Sequence, residues 1–262
     1  MQAREFKVEI DNGIATVTFN WPNAANAMGT TYSSDFSKIL DRIEQDENIR
    51  CVVLTGAGKV FNGGGDLKEL MSPDPTEMES EFKLLRDYNK ITKRLYYFDI
   101  PVIAALNGPA IGGGVGIALA CDFAIASETA RYDLAFHKLG LSAADVGVPW
   151  LLTRAIGAPL ANYHILTTGS IDSILGKKLG LFAEVVPQDD LLNAAMVAAR
   201  RIASAPGPTV RISKLSLRRG VDMDFAANLE VEAYMQSYAF RSEGHKKIIG
   251  EYRRKISKSS GN

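Results

Sequence analysis

Apolar and polar residues alternate in Phe6-Lys-Val-Glu-Ile10 and again in Ile14-Ala-Thr-Val-Thr-Phe19, with Asn12-Gly13 between them. A period of two lays one face of a strand against a core, and Asn-Gly supplies the left-handed residues of a tight turn. The stretch therefore predicts a β-hairpin. The period then changes. Phe36, Ile39, Leu40 and Ile43 recur at three- and four-residue spacing, which predicts a helix over 32–46, and 77–98 is a second long helix candidate. Short strand-like runs begin at Cys51, Val102 and Phe123, with helical segments between them. Buried strands joined by helices predict parallel pairing in an α/β core. After Pro187 the pattern turns helical: 191–204, 208–219 and 225–254 follow a helical period almost throughout. The expected division is a core over 1–190 and a helical region over 191–262.

Glycine interrupts this pattern at two strand ends. Pro101-Val-Ile-Ala-Ala-Leu-Asn-Gly-Pro-Ala-Ile-Gly-Gly-Gly-Val-Gly116 runs from a strand into three glycines that open an apolar helix over 115–121. Cys51-Val-Val-Leu-Thr-Gly56 is followed by Phe61-Asn-Gly-Gly-Gly-Asp-Leu67 in the same way. Glycine lets a backbone approach a ligand closely, and the first N–H groups of a helix have no partner inside it. Two such turns could converge on one oxygen and stabilise negative charge there, as enolate and acyl-transfer chemistry require. The other glycine motifs do not fit. Counting G-x-G-x-x-G from Gly112 and Gly114 places Ile117 in the last position, and no segment supplies the Gly-Lys-Ser/Thr of a P-loop.

These turns, with Asn23-Ala-Ala-Asn-Ala-Met28, the segments 61–70, 101–122 and 151–157, and Leu179-Gly-Leu-Phe-Ala-Glu-Val-Val-Pro187, stand in the order and spacing of the crotonase superfamily. The chain resembles its enoyl-CoA hydratases and isomerases over nearly its whole length. The resemblance implies a spiral core of repeated ββα units and a helical C-terminal region that builds a homotrimer or a dimer of trimers. It implies an acyl-CoA thioester as substrate, with no separate cofactor. It assigns the two N–H groups that hold the thioester oxygen to Gly65 and Gly113. The coenzyme A site would draw on Ala25 and Ala27 in the first loop, and on Gly63, Asp66, Leu67 and Lys68 around the second turn. Asp66 reads equally as a residue that fixes this turn through backbone hydrogen bonds.

The carboxylates of the family's hydratases are missing. One slot, two residues beyond the glycine triplet, is Gly116, and the other is Phe136. Neither glycine nor a phenyl ring can transfer the protons that hydration needs. A third slot is filled. Leu141-Ser-Ala-Ala-Asp-Val-Gly-Val-Pro-Trp-Leu-Leu152 resembles the segment in which crotonase-fold isomerases carry a proton-shuttling acid, and Asp145 is that residue. Its apolar neighbours would raise its pKa by desolvation. Asp145 is also placed to cap the helix through 150–156. The reading is an isomerase that moves a double bond from 3-enoyl to 2-enoyl-CoA through an enolate. A hydratase, another crotonase reaction such as dehalogenation, and a silent acyl-CoA- or partner-binding fold are the alternatives.

Composition narrows the partners. Lys plus Arg equals Asp plus Glu at 30 each, so net charge draws the chain to neither nucleic acid nor an anionic membrane. No apolar run approaches the roughly 20 residues of a spanning helix. The first residues lack the apolar core of a signal peptide and the last are not a peroxisomal tripeptide, so a cytoplasmic home is expected. Cys51 and Cys121 lie in apolar runs, and His137, His164 and His245 show no ligand spacing, so no metal site is expected. Tyr88, Tyr96, Tyr97 and Phe98 suit core packing better than an acyl pocket. Lys246, Lys247, Arg253 and Arg254 form a basic C-terminal face that could reach coenzyme A phosphates or simply be solvated.

Overall fold

The computed structural model describes residues 5–66 and 78–259. The chain forms two compact units, Met1–Arg200 and Arg201–Asn262.

The first unit opens with the expected hairpin. Strands β1 (Phe6–Asp11) and β2 (Ile14–Phe19) pair antiparallel, with Asp11 opposite Ile14. The turn takes positive φ at both Asn12 and Gly13, 48° and 76°, which matches the twist of the flanking strands. The β2 side chains at 14, 15, 17 and 19 are buried. Helix α1 (Tyr32–Gln45) follows and buries Tyr32, Phe36, Leu40 and Ile43, the stripe predicted by its period. Phe6, Phe19, Tyr32 and Phe36 meet as one aromatic cluster, with ring centroids 5.1–6.0 Å apart.

Strands β3 (Cys51–Gly56), β4 (Val102–Leu106), β6 (Phe123–Ser127) and β9 (Glu184–Val186) add to β2, all parallel. The sheet order is β1-β2-β3-β4-β6-β9. Residues 51–54 and 102–106 are buried, as strands covered on both faces must be. Helix α2 (Met78–Tyr96) and the short α3 (Gly113–Ala120) lie between successive strands, and α3 is apolar and buried nearly all round. A smaller sheet joins β5 (Ala110–Ile111), β7 (Arg131–Asp133) and β8 (Ser170–Asp172). Helices α4 (Val148–Ile156), α5 (Ala158–Leu166) and α6 (Ser173–Lys178) complete the core, and α7 (Leu191–Ala203) leads out of it.

The second unit is helical: α8 (Gly207–Gly220), α9 (Phe225–Ala239) and α10 (Glu243–Ser259). The helical stretch expected over 225–254 forms two helices, because the chain turns at Phe240–Ser242 and Ser242 Oγ accepts from the N–H of His245 at 3.2 Å. Glu232 ties α8 to α9, accepting from Ser216 Oγ at 3.0 Å and from Asn228 Nδ2 at 2.8 Å. On α10, Lys246 of the basic face pairs with Glu243 at 2.6 Å.

Candidate active site

The two glycine turns lie side by side. Phe61 N–H donates to Pro109 O at 3.0 Å and Ile111 N–H to Asn62 O at 2.9 Å, so residues 61–62 and 109–111 run together as a short parallel bridge. Asn62, fully buried, accepts the Gly64 N–H on its Oδ1 at 3.0 Å, and the backbone of Gly114 packs on its carbonyl. One asparagine thereby ties the 63–65 turn to the start of α3. The first loop closes the other side. Met28 N–H donates to Gly64 O at 2.7 Å and Asp66 N–H to Met28 O at 3.1 Å, a pairing that does not use the Gly65 N–H. Gly112 turns into α3 with φ 52°, so Gly113 is the first residue of the helix. Its N–H stands at the positive end of the helix dipole without an intrahelical acceptor.

These segments line a cleft of about 790 Å³. Ala25, Ala27, Gly63, Gly65, Asp66, Gly113 and Asp145 all face it, so residues scattered over 120 positions of sequence meet at one cavity. Leu67 and Lys68 lie outside the described residues. Ile111, Phe136, Leu139, Leu141, Ala144 and Leu85 give the cleft an apolar wall. Tyr88 reaches it as well, although it is buried and its hydroxyl donates to Met28 O, so it both packs and lines. Tyr96 and Phe98 are core residues, while Tyr97 is 45% exposed.

Asp145 enters from a turn ahead of α4. Its Oδ2 lies 3.1 Å from the point at which a β-carbon on Gly113 would stand. Desolvation pushes its pKa up to about 6, opposed by a hydrogen bond from the Val146 backbone. A carboxylate so tuned is a base at neutral pH that can hold a proton in transit. The capping role does not appear: the residue at the N-terminus of α4 is Gly147, and no side chain caps the helix.

Sequence reasoning overlooked two features. Asn26, buried with φ 54°, holds the first loop by accepting from Trp21 N–H at 2.9 Å and donating to Ala57 O at 2.9 Å and Val60 O at 2.7 Å. Its only signal was an asparagine inside the Asn23–Met28 motif. Val146 is buried with φ 46°, and nothing in its residue type announces a left-handed backbone. Among the described residues no group of three or more His, Cys, Asp or Glu could hold a metal ion. Nor is any helix among them long and apolar enough to cross a membrane.

An α/β core that brings two glycine turns, the start of a buried helix and the Asp145 carboxylate to a single cleft is the architecture of a crotonase-fold enzyme. Residues 9–258 match the family model described as enoyl-CoA hydratase/isomerase, and the chain belongs to that family, within the crotonase superfamily. It is 34% identical over 242 residues to the short-chain-enoyl-CoA hydratase of Clostridium acetobutylicum, covering 91% of each chain. It is 31% identical over 245 residues to the 1,2-epoxyphenylacetyl-CoA isomerase of Escherichia coli, covering 93% of each. The crystal structure of an enoyl-CoA hydratase from Bacillus anthracis superposes with a TM-score of 0.91 at 29% identity over 96% of both chains.

Proposed function

We propose that the protein is an acyl-CoA isomerase that converts 3-enoyl-CoA to 2-enoyl-CoA with Asp145 as its single proton shuttle. The observation that carries this reading is the Asp145 carboxylate set against Gly113 in the cleft, with its pKa raised toward neutrality. The thioester oxygen would accept from the N–H groups of Gly65 and Gly113. Asp145 would take the proton from the carbon between the thioester and the double bond, and electrons would move onto the oxygen to give a dienolate. The same carboxyl would return the proton at the far end of the diene, leaving the double bond conjugated with the thioester. One acid suffices because the proton leaves and returns on one face. The CoA ester is the substrate, so the reaction needs no further cofactor. Ala25, Ala27, Gly63, Asp66, Leu67 and Lys68 would border the coenzyme A.

Hydration is the second reading, favoured by the name of the Clostridium relative. Against it stand Gly116 and Phe136 in the two carboxylate slots. Incubating pure protein with 3-enoyl-CoA and with 2-enoyl-CoA, and following products by mass and chromatography, separates the two. An isomerase gives a product of unchanged mass, and a hydratase adds one water. A silent binding fold does neither. A homotrimer or dimer of trimers, in a cytoplasmic setting, belongs to the same proposal. The exposed Phe225, Tyr234 and Tyr238 of α9 support self-association, which light scattering would measure.

A further inference from the structure

Val146 is buried, β-branched and left-handed at once, and Gly147 after it has φ 78°. Such backbone is a genuine outlier for valine and persists only where the surroundings hold it. Among those surroundings are two glycines of α3. The Val146 carbonyl oxygen lies 2.3 Å from the point where a β-carbon on Gly116 would stand, and its carbonyl carbon lies 3.1 Å from it. Its Cγ2 lies 2.9 Å from the corresponding point on Gly113. Residues three apart share a helix face, so Gly113 and Gly116 offer Val146 one flat seat. Val146 N–H in turn donates to the Asp145 carboxylate.

We propose that Val146 is a positioning residue: seated on Gly116 through its carbonyl and on Gly113 through its side chain, it holds the kink that aims Asp145 into the cleft. The chemistry of the inference rests on the isomerase reading, while its geometry does not. Gly116 is then the floor on which the base is set, rather than a vacated carboxylate slot. Any side chain at 116 starts with a β-carbon inside the Val146 carbonyl, so a glutamate there and the present 145–147 turn exclude each other. Backbone cannot yield as the tip of a flexible side chain can.

Two variants test this from opposite sides. Gly116→Ala lifts the carbonyl from its seat, and Val146→Ala removes the side-chain wedge. Each should lower kcat on 3-enoyl-CoA, by about 30- to 100-fold for Gly116→Ala and about tenfold for Val146→Ala, with KM within about threefold, as expected when a reacting group is misplaced by an ångström. The acid limb of the kcat–pH profile should move below its position near pH 6 as the carboxyl gains water. A folded variant with kcat within twofold and an unmoved limb overturns the proposal. Val146→Ala adds no atoms, so it decides the question should Gly116→Ala fail to fold. If the unaltered protein does not isomerise 3-enoyl-CoA, only the proposed activity fails. The Asp145 titration is then read from melting temperatures of each protein against its Asp145→Asn derivative from pH 4 to 8. That pH-dependent difference shrinks in both variants if Val146 sets the carboxyl, and stays as in the unaltered protein if it does not.

Discussion

Asp145 Oδ2 and the α-carbon of Gly113 face each other with no side chain between them, the oxygen 3.1 Å from where a β-carbon on Gly113 would be. A carboxyl group and the N-terminus of a helix thus share one edge of the cleft. A thioester bound with its oxygen at the helix N-terminus would bring its α-carbon to the carboxylate.

Asp145→Asn keeps the shape of the side chain and removes the base. Turnover of 3-enoyl-CoA should fall by roughly 10²–10⁴-fold while acyl-CoA affinity holds, since that is the span of general-base catalysis. Steady-state kinetics with a binding isotherm on the same preparation checks it. A variant retaining more than about a tenth of wild-type turnover would assign the proton transfer to another group.

The same carboxyl fixes a pH dependence. Its folded pKa of about 6 lies above the ordinary aspartate value of 3.8, because burial disfavours the charged form. The stability it contributes is therefore full below about pH 4 and is lost as pH rises through 6. Asp145→Asn should accordingly melt higher than wild type at pH 8, by roughly 1–3 kcal/mol of stability, and show little gain at pH 4. Wild-type turnover runs the other way and should decline below about pH 6 as the base is protonated. Equal effects of the substitution at both pH values would contradict the buried, desolvated carboxyl.

Gly113 has no room for a side chain. A β-carbon there would meet Met28 Cε at 2.8 Å and Val146 Cγ2 at 2.9 Å, besides Asp145 Oδ2. Gly113→Ala should cost stability through overpacking, about 1–3 kcal/mol, and displace the carboxyl. Gly113→Pro should be worse for chemistry, since it deletes the N–H as well, and loss of one such donor typically costs roughly 2.7–4 kcal/mol of transition-state stabilisation. Measuring melting temperature and turnover together separates the contributions. A folded Gly113→Pro protein with near-normal activity would eliminate this N–H as the enolate's donor.

Asn26 should matter for the fold of the first loop. Asn26→Leu leaves the Trp21 N–H and the Ala57 carbonyl without their present partner, and the Val60 carbonyl with the longer bond from Asn107 Nδ2 at 3.4 Å. The expected loss is about 2–4 kcal/mol, read from denaturant unfolding at constant m-value, because each unsatisfied buried group costs about 1–3 kcal/mol. A loss below about half a kcal/mol would mean that water replaces the side chain there.

The fold was legible because its signals are local. The period of two in β2 and of 3.6 in α1, and the buried runs of β3, β4 and β6, each reflect which face of an element meets the core. Seven of the proposed site residues also came from motif order alone, and they share one cleft. Local signals failed where two ends of a segment competed. The helical period runs through 240–242, yet one helix ends at Ala239 and Ser242 starts the next by accepting the N–H of His245.

What the sequence determined by itself was the set of elements, the two glycine turns and the candidate acid Asp145, since each depends on residue type and near neighbours. Only the tertiary structure decided what that acid does locally. Asp145 reads from sequence both as a proton shuttle and as a helix cap, but Gly147 takes the cap position and the carboxyl lines the cleft. Gly116 reads as a missing glutamate, but it is the surface against which the Val146 carbonyl packs. Both outcomes depend on the approach of segments 30 residues apart, at which a buried valine takes φ 46°. Such backbone strain is imposed by packing rather than by residue preference, and no reading of preferences along the chain contains it.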